Sequence, residues 1–154
     1  MNQPLIRVQV ITAADLGVQF KALDEEYTQR TLRALDAAGL IVQNAARRSI
    51  VDGPKSGRLY KRGSVVHRAS APGQPPANDT GRLLGTIVYR VLGLQLAVEI
   101  TAGTIYAKFL EFGTRKMEPR PFMNPALTNN LDKVRAVMRA VLSTPVRRIN
   151  ARRR

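Results

Sequence analysis

The sequence predicts an α+β fold in which a small, mostly antiparallel sheet packs against a long N-terminal helix and a C-terminal helix, with a long Gly/Pro-rich arm. Three observations predict it. Apolar and polar residues alternate with a period of two near the N-terminus and again over residues 86–101. Two long stretches, about 21–49 and 124–145, carry apolar residues at steps of three and four. Between the first helix and the second alternating stretch lies a segment dense in glycine and proline. The 154 residues suit one domain, 1–145, followed by a basic tail, 146–154.

The first strand is Leu5–Val10, where Ile6, Val8 and Val10 alternate with Arg7 and Gln9. The helix from about Lys21 to Ser49 has Asp24, Glu25 and Glu26 in its first turns and Arg47 and Arg48 near its end, the placement the helix dipole favours. Leu23, Tyr27, Ala34, Ala38, Ile41 and Ala45 share a face, with Leu35 and Val42 beside them. The alanines let a neighbouring layer approach closely.

The arm, 52–81, holds five glycines and four prolines in thirty residues, which excludes a continuous helix. Val65 and Val66 suit a short strand, and the rest is expected to be extended and to order against a neighbour. Asp79-Thr80-Gly81 offers an N-cap to a short turn at Arg82-Leu83-Leu84. Thr86–Leu92 and Leu94–Thr101 then read as a hairpin turning tightly at Gly93, with Leu94, Leu96, Val98 and Ile100 on one face. Ile105–Phe112 fits a two-turn helix closed by Gly113. The last helix is expected to start with Asn124 as N-cap and Pro125 in its first position. Leu127, Leu131, Val134, Met138, Val141 and Leu142 form its stripe, and Pro145 ends it.

Composition narrows the function. The chain has no cysteine and one histidine, His67, so disulfides, thiolate zinc sites and histidine clusters are excluded. No cofactor and no metal are expected. No apolar run reaches the roughly 20 residues of a membrane span, and a soluble intracellular domain is the expectation. A catalytic triad built on His67 has no nucleophile elbow to support it, and no phosphate-cradling glycine motif is present. Glu99, Glu111 and Glu118 match no catalytic spacing, and structural pairing with Lys108, Arg115 or Lys116 is the better reading. The sequence therefore speaks against an enzyme.

The net charge is +14 and the pI about 11.3. It concentrates in two zones, with net +6 over 47–82 and net +8 over 119–154. Such zones suit a polyanion, either nucleic acid or an acidic protein surface. Arg58, Lys61 and Arg62 in the arm and Arg147, Arg148, Arg152, Arg153 and Arg154 in the tail are the contact candidates, with Tyr60 among the arm cations as a ring for stacking or packing. Contacts of this kind neutralise phosphates without reading bases.

Four segments resemble a known family. They are Ser-Ala-Pro-Gly-x-Pro-Pro at Ser70–Pro76, Thr-Gly-x-Leu at Thr80–Leu83, Tyr-Ala-x-x-x-Glu-Phe-Gly-Thr at Tyr106–Thr114 and Pro-x-Pro-Phe-x-x-Pro-Ala at Pro119–Ala126. In order and spacing they resemble the gene-product-ten-like head–tail joining family of long-tailed double-stranded DNA phages, also described as tail-completion or neck proteins. The likeness covers most of Arg47–Leu142 and leaves the basic tail out.

The resemblance implies a structural virion protein, made in the host bacterial cytoplasm, that forms a homo-oligomeric ring where the capsid portal meets the tail. Sixfold symmetry is favoured over twelvefold. The implied partners are adjacent neck, portal-adaptor and tail-terminator proteins, with non-specific contact to packaged DNA. The alternative is a stand-alone basic protein that binds nucleic acid non-specifically. Subunit-interface candidates are Tyr60, Ser70, Pro72, Pro75 and Pro76 in the arm, and Glu111, Arg115 and Arg120. Glu111 is expected to pair with an arginine across a subunit boundary or with Arg115 within the chain. Phe122 is expected to be presented to the core by a Pro119–Pro121 elbow.

Overall fold

The computed structural model of the chain describes residues 6–9 and 25–143. In order they form β1 (Ile6–Gln9), α1 (Glu25–Asp52), β2 (Leu59–Arg62), β3 (Val65–Arg68), α2 (Arg82–Thr86), β4 (Ile87–Leu92), β5 (Ala97–Ala102), α3 (Ala107–Phe112), α4 (Met123–Thr128) and α5 (Leu131–Leu142). The fold is α+β, as the periodicities predict. β1, β5 and β4 make a three-stranded antiparallel sheet in that order, and β2 and β3 make a separate two-stranded ribbon. In the main sheet Ile6 and Ile87 both lie opposite Ala102, so β5 is the central strand. Among the described residues no helix is long and apolar enough to cross a membrane.

α1 is the central packing element of the core, touching β4, β5, α4 and α5. Its buried stripe is Ala34, Leu35, Ala38, Val42, Ala46 and Ile50, a helical repeat that continues past the expected end at Ser49 to Asp52. Tyr27 is exposed, while Ile41 and Ala45 pack at the rim of the core. Arg47 and Arg48 therefore sit inside the helix and not in its last turn. The Arg47 guanidinium donates to the Ile87 carbonyl at 2.8 Å, and the Gln43 amide donates to the same oxygen at 2.9 Å. That pair of donors ties α1 to the start of β4. Lys21, Leu23, Asp24, Leu5 and Val10 lie outside the described residues, as do Pro145 and the tail.

The small residues of α1 set its distance from the sheet. A methyl group at Gly39 would strike the Tyr89 ring and come within 2.8 Å of Val98 Cγ2. The ring has little room to yield, since the Tyr89 hydroxyl donates to Asp36 Oδ1 at 2.8 Å. That bond raises the Tyr89 pKa above its ordinary 10.0, with burial and the Asp36 charge adding to the effect.

The hairpin and the last helix depart from the expectations. The hairpin turn is a three-residue helical turn, Gly93–Gln95, with Leu96 at φ 45. Leu94 is consequently fully exposed and off the strand face, and β5 begins at Ala97. Buried on both faces, Val98, Glu99 and Ile100 behave as a central strand and not as a half-wet one. Glu99 meets Arg90 across the hairpin at 3.1 Å, not Lys108 or its neighbours.

The last helix is two helices. The chain turns at Asn129-Asn130, and the Asn130 amide donates to the Ala126 carbonyl at 2.9 Å, occupying an acceptor at the end of α4. α4 starts after Phe122, so Asn124 is its second residue and Pro125 its third. Val134 and Met138 are buried against α1, as the stripe predicts. Within Asp79-Thr80-Gly81 the N-cap of α2 is Gly81, at φ 74, whose N–H donates to Asn78 Oδ1 at 3.0 Å.

Two measurements follow from this packing. Gly39→Ala gains about 1 kcal/mol of helix propensity but overpacks a rigid contact, which costs about 1–3 kcal/mol. Urea unfolding is expected to show a net loss, and a more stable variant would contradict the close approach of α1 and β4. Tyr89 holds its proton more tightly folded than unfolded, so its contribution to stability is complete below its unfolded pKa near 10. That contribution is lost as pH rises through the raised folded value. Ultraviolet titration of the wild type minus Tyr89→Phe should place the transition above 10, and Asp36→Ala should move it back down.

Candidate functional site

The segment from Tyr106 to Ala126 is organised by one carboxylate. α3 buries Ala107 and Glu111 on its inner side and leaves Phe109 and Phe112 outward. Glu111 is only 5% exposed. Its Oε2 accepts the N–H groups of Phe122 at 2.9 Å and Met123 at 3.0 Å, and its Oε1 accepts that of Asn124 at 2.8 Å. These are donors at the start of α4, so Glu111 caps that helix from 11 to 13 residues upstream. Pro125, the next residue, has no N–H to satisfy. Within the chain, Glu111 thus binds backbone N–H groups and makes no ion pair with Arg115.

Between α3 and α4 the chain must reverse sharply. Gly113 takes φ 75, and a side chain there would meet the Met117 carbonyl at 2.8 Å and the Pro119 nitrogen at 3.0 Å. Thr114 and Met117 close the turn with two backbone bonds, leaving Arg115 and Lys116 exposed at its tip. Arg120 N–H donates to the Leu110 carbonyl. The Pro119-Arg120-Pro121 elbow then delivers Phe122 into the core, where it is fully buried as expected.

The arm is fastened to this unit and is more ordered than its composition suggests. Arg120 Nε donates to the Ser70 carbonyl at 3.3 Å, and Gly73 N–H donates to the Pro119 carbonyl at 2.9 Å. Gln74 gathers the arm's two ends, accepting from Ala71 N–H at 2.8 Å and donating to Ser56 Oγ at 2.8 Å. Ser70 and Pro76 are buried, Pro75 is half-buried and Pro72 is exposed. Ser70, Pro76 and Arg120 are thus engaged within the chain, whereas Pro72, Tyr60 and Arg115 are exposed.

Beyond this root, β2 and β3 project as a ribbon turning at Gly63, φ 60. Alternation puts Tyr60, Arg62, Val65 and His67 on one face and Leu59, Lys61, Val66 and Arg68 on the other. The first face is held down. Asp79 Oδ1 lies 3.0 Å from an Arg62 nitrogen and 2.9 Å from His67 Nε2, while the Tyr60 and His67 rings stack at 5.6 Å. Tyr60 packs on its own hairpin, and Arg62 is committed to Asp79. Arg58, Lys61 and Arg68 remain exposed to solvent. Arg147, Arg148, Arg152, Arg153 and Arg154 lie outside the described residues.

Between ribbon, arm root and body lies a cavity of about 430 Å³, walled by Tyr60, Ser70, Asp79, Arg82, Tyr106 and Arg120 over Ile50, Leu83 and Leu110. Its edge joins the outer side of α3, where Ile105, Tyr106, Phe109 and Phe112 are 61%, 41%, 40% and 74% exposed. No signal in the sequence alone points to this apolar patch, because the same residues fit a buried helix equally well. Among the described residues no three His, Asp or Glu side chains gather as a metal site would require. Comparison of the chain with protein-family models, curated proteins and solved structures finds no match.

The cap is directly testable. Glu111→Gln keeps the shape but replaces one acceptor oxygen with an NH₂ that faces backbone donors. Hydrogen bonds to a charged group are worth about 1.5–3 kcal/mol each, so a loss of about 2–4 kcal/mol in denaturant unfolding is expected. Arg115→Ala should change stability by less than about 0.5 kcal/mol, as an exposed substitution does. Equal effects would mean that Glu111 relies on Arg115 after all.

Proposed function

We propose that this protein is a non-enzymatic structural component of a phage virion, a subunit of a neck ring that joins the capsid portal to the tail and lets DNA pass. One observation carries the reading. The segments that resemble the head–tail joining family are separate in sequence but form one interlocked unit in space. Glu111 of Tyr106–Thr114 caps the helix of Pro119–Ala126, and Arg120 of that segment holds Ser70 of the arm. A chance match of short motifs has no reason to fall on residues that fasten one another.

The surface supports the same reading. A protruding ribbon and an apolar helix face, both uncovered among the described residues, suit a molecule that works in contact with others. Repetition around a ring, sixfold in preference to twelvefold, would multiply each exposed cation on the lumen side and favour non-specific contact with the DNA passing through. The exposed Arg58, Lys61 and Arg68 favour a second reading, a stand-alone protein that binds nucleic acid without reading sequence.

Loss of the gene separates the two. In the phage that encodes this chain, its deletion is expected to leave DNA-filled heads and free tails that do not join, seen by electron microscopy. The purified protein should assemble into a closed ring by native mass measurement, alone or with its neck neighbours. Normal tailed particles in the deletion, with a monomer that binds DNA steeply dependent on salt, would favour the second reading.

A further inference from the structure

We propose that the outer face of α3, with the cavities beside it, is a docking groove for an acidic, amphipathic segment of a partner protein. Phe109 and Phe112, three residues apart, share one side of α3, and exposed Ile105 lies in the turn that leads into it. Tyr106 widens the stripe toward the arm. The inner side of the same helix is committed to the core and to the Glu111 cap, and among the described residues nothing covers this stripe. A patch of this kind marks an interaction site and not ordinary surface.

The charges around the stripe identify the occupant. Lys108 Nζ lies 5.0 Å over the Phe109 ring. Arg82 shares a cavity of about 260 Å³ with Ile105 and Tyr106. Arg82 and Arg120 share the larger cavity with Tyr106 and Leu110. Arg115 and Lys116 share a third, about 300 Å³, with Phe112. On the other side of the balance, Asp79 is engaged by Arg62 and His67, which leaves Glu118 in the third cavity.

Apolar side chains flanked by cations at both ends match a segment that carries apolar residues three or four apart and carboxylates between them. A second copy presenting the same face would set cations against cations. Duplex DNA would satisfy the cations but leave two phenyl rings against water. The argument uses this surface alone and holds whether or not the chain forms a ring. Ring assembly by native mass measurement and docking by peptide binding therefore fail separately.

A displayed library of random dodecapeptides, selected on the full-length protein and counter-selected on the F109S/F112S double variant, tests the proposal. Enriched sequences are expected to hold Asp or Glu beside Leu, Phe or Trp at spacings of three or four. A synthetic peptide of the leading sequence should bind about tenfold or more weakly to Phe112→Ser. It should weaken similarly on K108E/R115E/K116E, whose substitutions lie at the surface and leave the thermal transition unchanged. No enrichment, a consensus without carboxylates, or equal binding to the double variant would overturn the proposal. So would a double variant that loses self-association or duplex binding, since a second copy or nucleic acid would then be the occupant.

Discussion

The carboxylate of Glu111 is the point on which the rest of this structure depends. A buried ionised carboxylate costs several kcal/mol in lost hydration unless it is hydrogen-bonded. Here three N–H groups from Phe122, Met123 and Asn124 compensate for it, and those donors would themselves be stranded at a buried helix start without an acceptor. Each side solves the other's problem, so neither α3 nor α4 is free to shift alone. The turn at Gly113, the bond from Arg120 to Leu110 and the delivery of Phe122 to the core all lie within the loop this contact closes. Arg120 then reaches Ser70, which roots the arm, and the arm carries Asp79, which holds the ribbon. A short chain of polar contacts thus links the hydrophobic core to the most remote part of the molecule.

Sequence reasoning succeeds where the signal is local. Alternation finds the strands β1, β4 and β5, and the 3.6-residue repeat finds α1, where Ala34 and Ala38 of the expected face and Leu35 and Val42 beside it are buried. It fails where a distant residue decides. Asn124 before Pro125 is a sound local start signal, yet the donors of α4 find Glu111, and the helix begins two residues earlier, at Met123. The continuous apolar stripe from Leu127 to Leu142 conceals the break at Asn129-Asn130, since both helices face α1 and share the same period. Leu94 fits the alternation of β5 but lies in a three-residue turn that throws it into solvent.

The candidate site was legible as a set of segments and illegible as a set of roles. The four motif segments include Glu111, Ser70 and Arg120, all three of which prove to be fasteners within the chain. Sequence alone assigns them to subunit boundaries because a motif gives no direction for its side chains. Charge counting has the same defect. Arg47, Arg62 and Arg120 contribute to the basic zones, yet each donates to, or pairs with, a group of its own chain. Other cations of these zones, Arg58 and Lys61 in the arm among them, are exposed with no such anchor among the described residues. Net charge overstates what a partner meets.

The order within the arm alters the energetics of any assembly the protein enters. A segment with five glycines and four prolines in thirty residues reads as one that folds only on binding. Ordering such a chain costs about 1–2 kcal/mol of backbone entropy per residue, and a partner's contacts would have to exceed that sum. In this structure Gln74, Asp79 and Arg120 bind the arm to residues of its own chain, contacts that lower that cost. A two-stranded ribbon alone is marginal in water, and the Asp79 contacts and the Tyr60–His67 stack supply the support it lacks. The outer face, with Leu59, Lys61, Val66 and Arg68, is then presented at a fixed angle. Binding energy at that face goes into affinity rather than into ordering the chain, which is the physical advantage of preorganisation. Glycine and proline serve here as the hinges of a rigid projection, and their density is evidence of sharp turns and not of disorder.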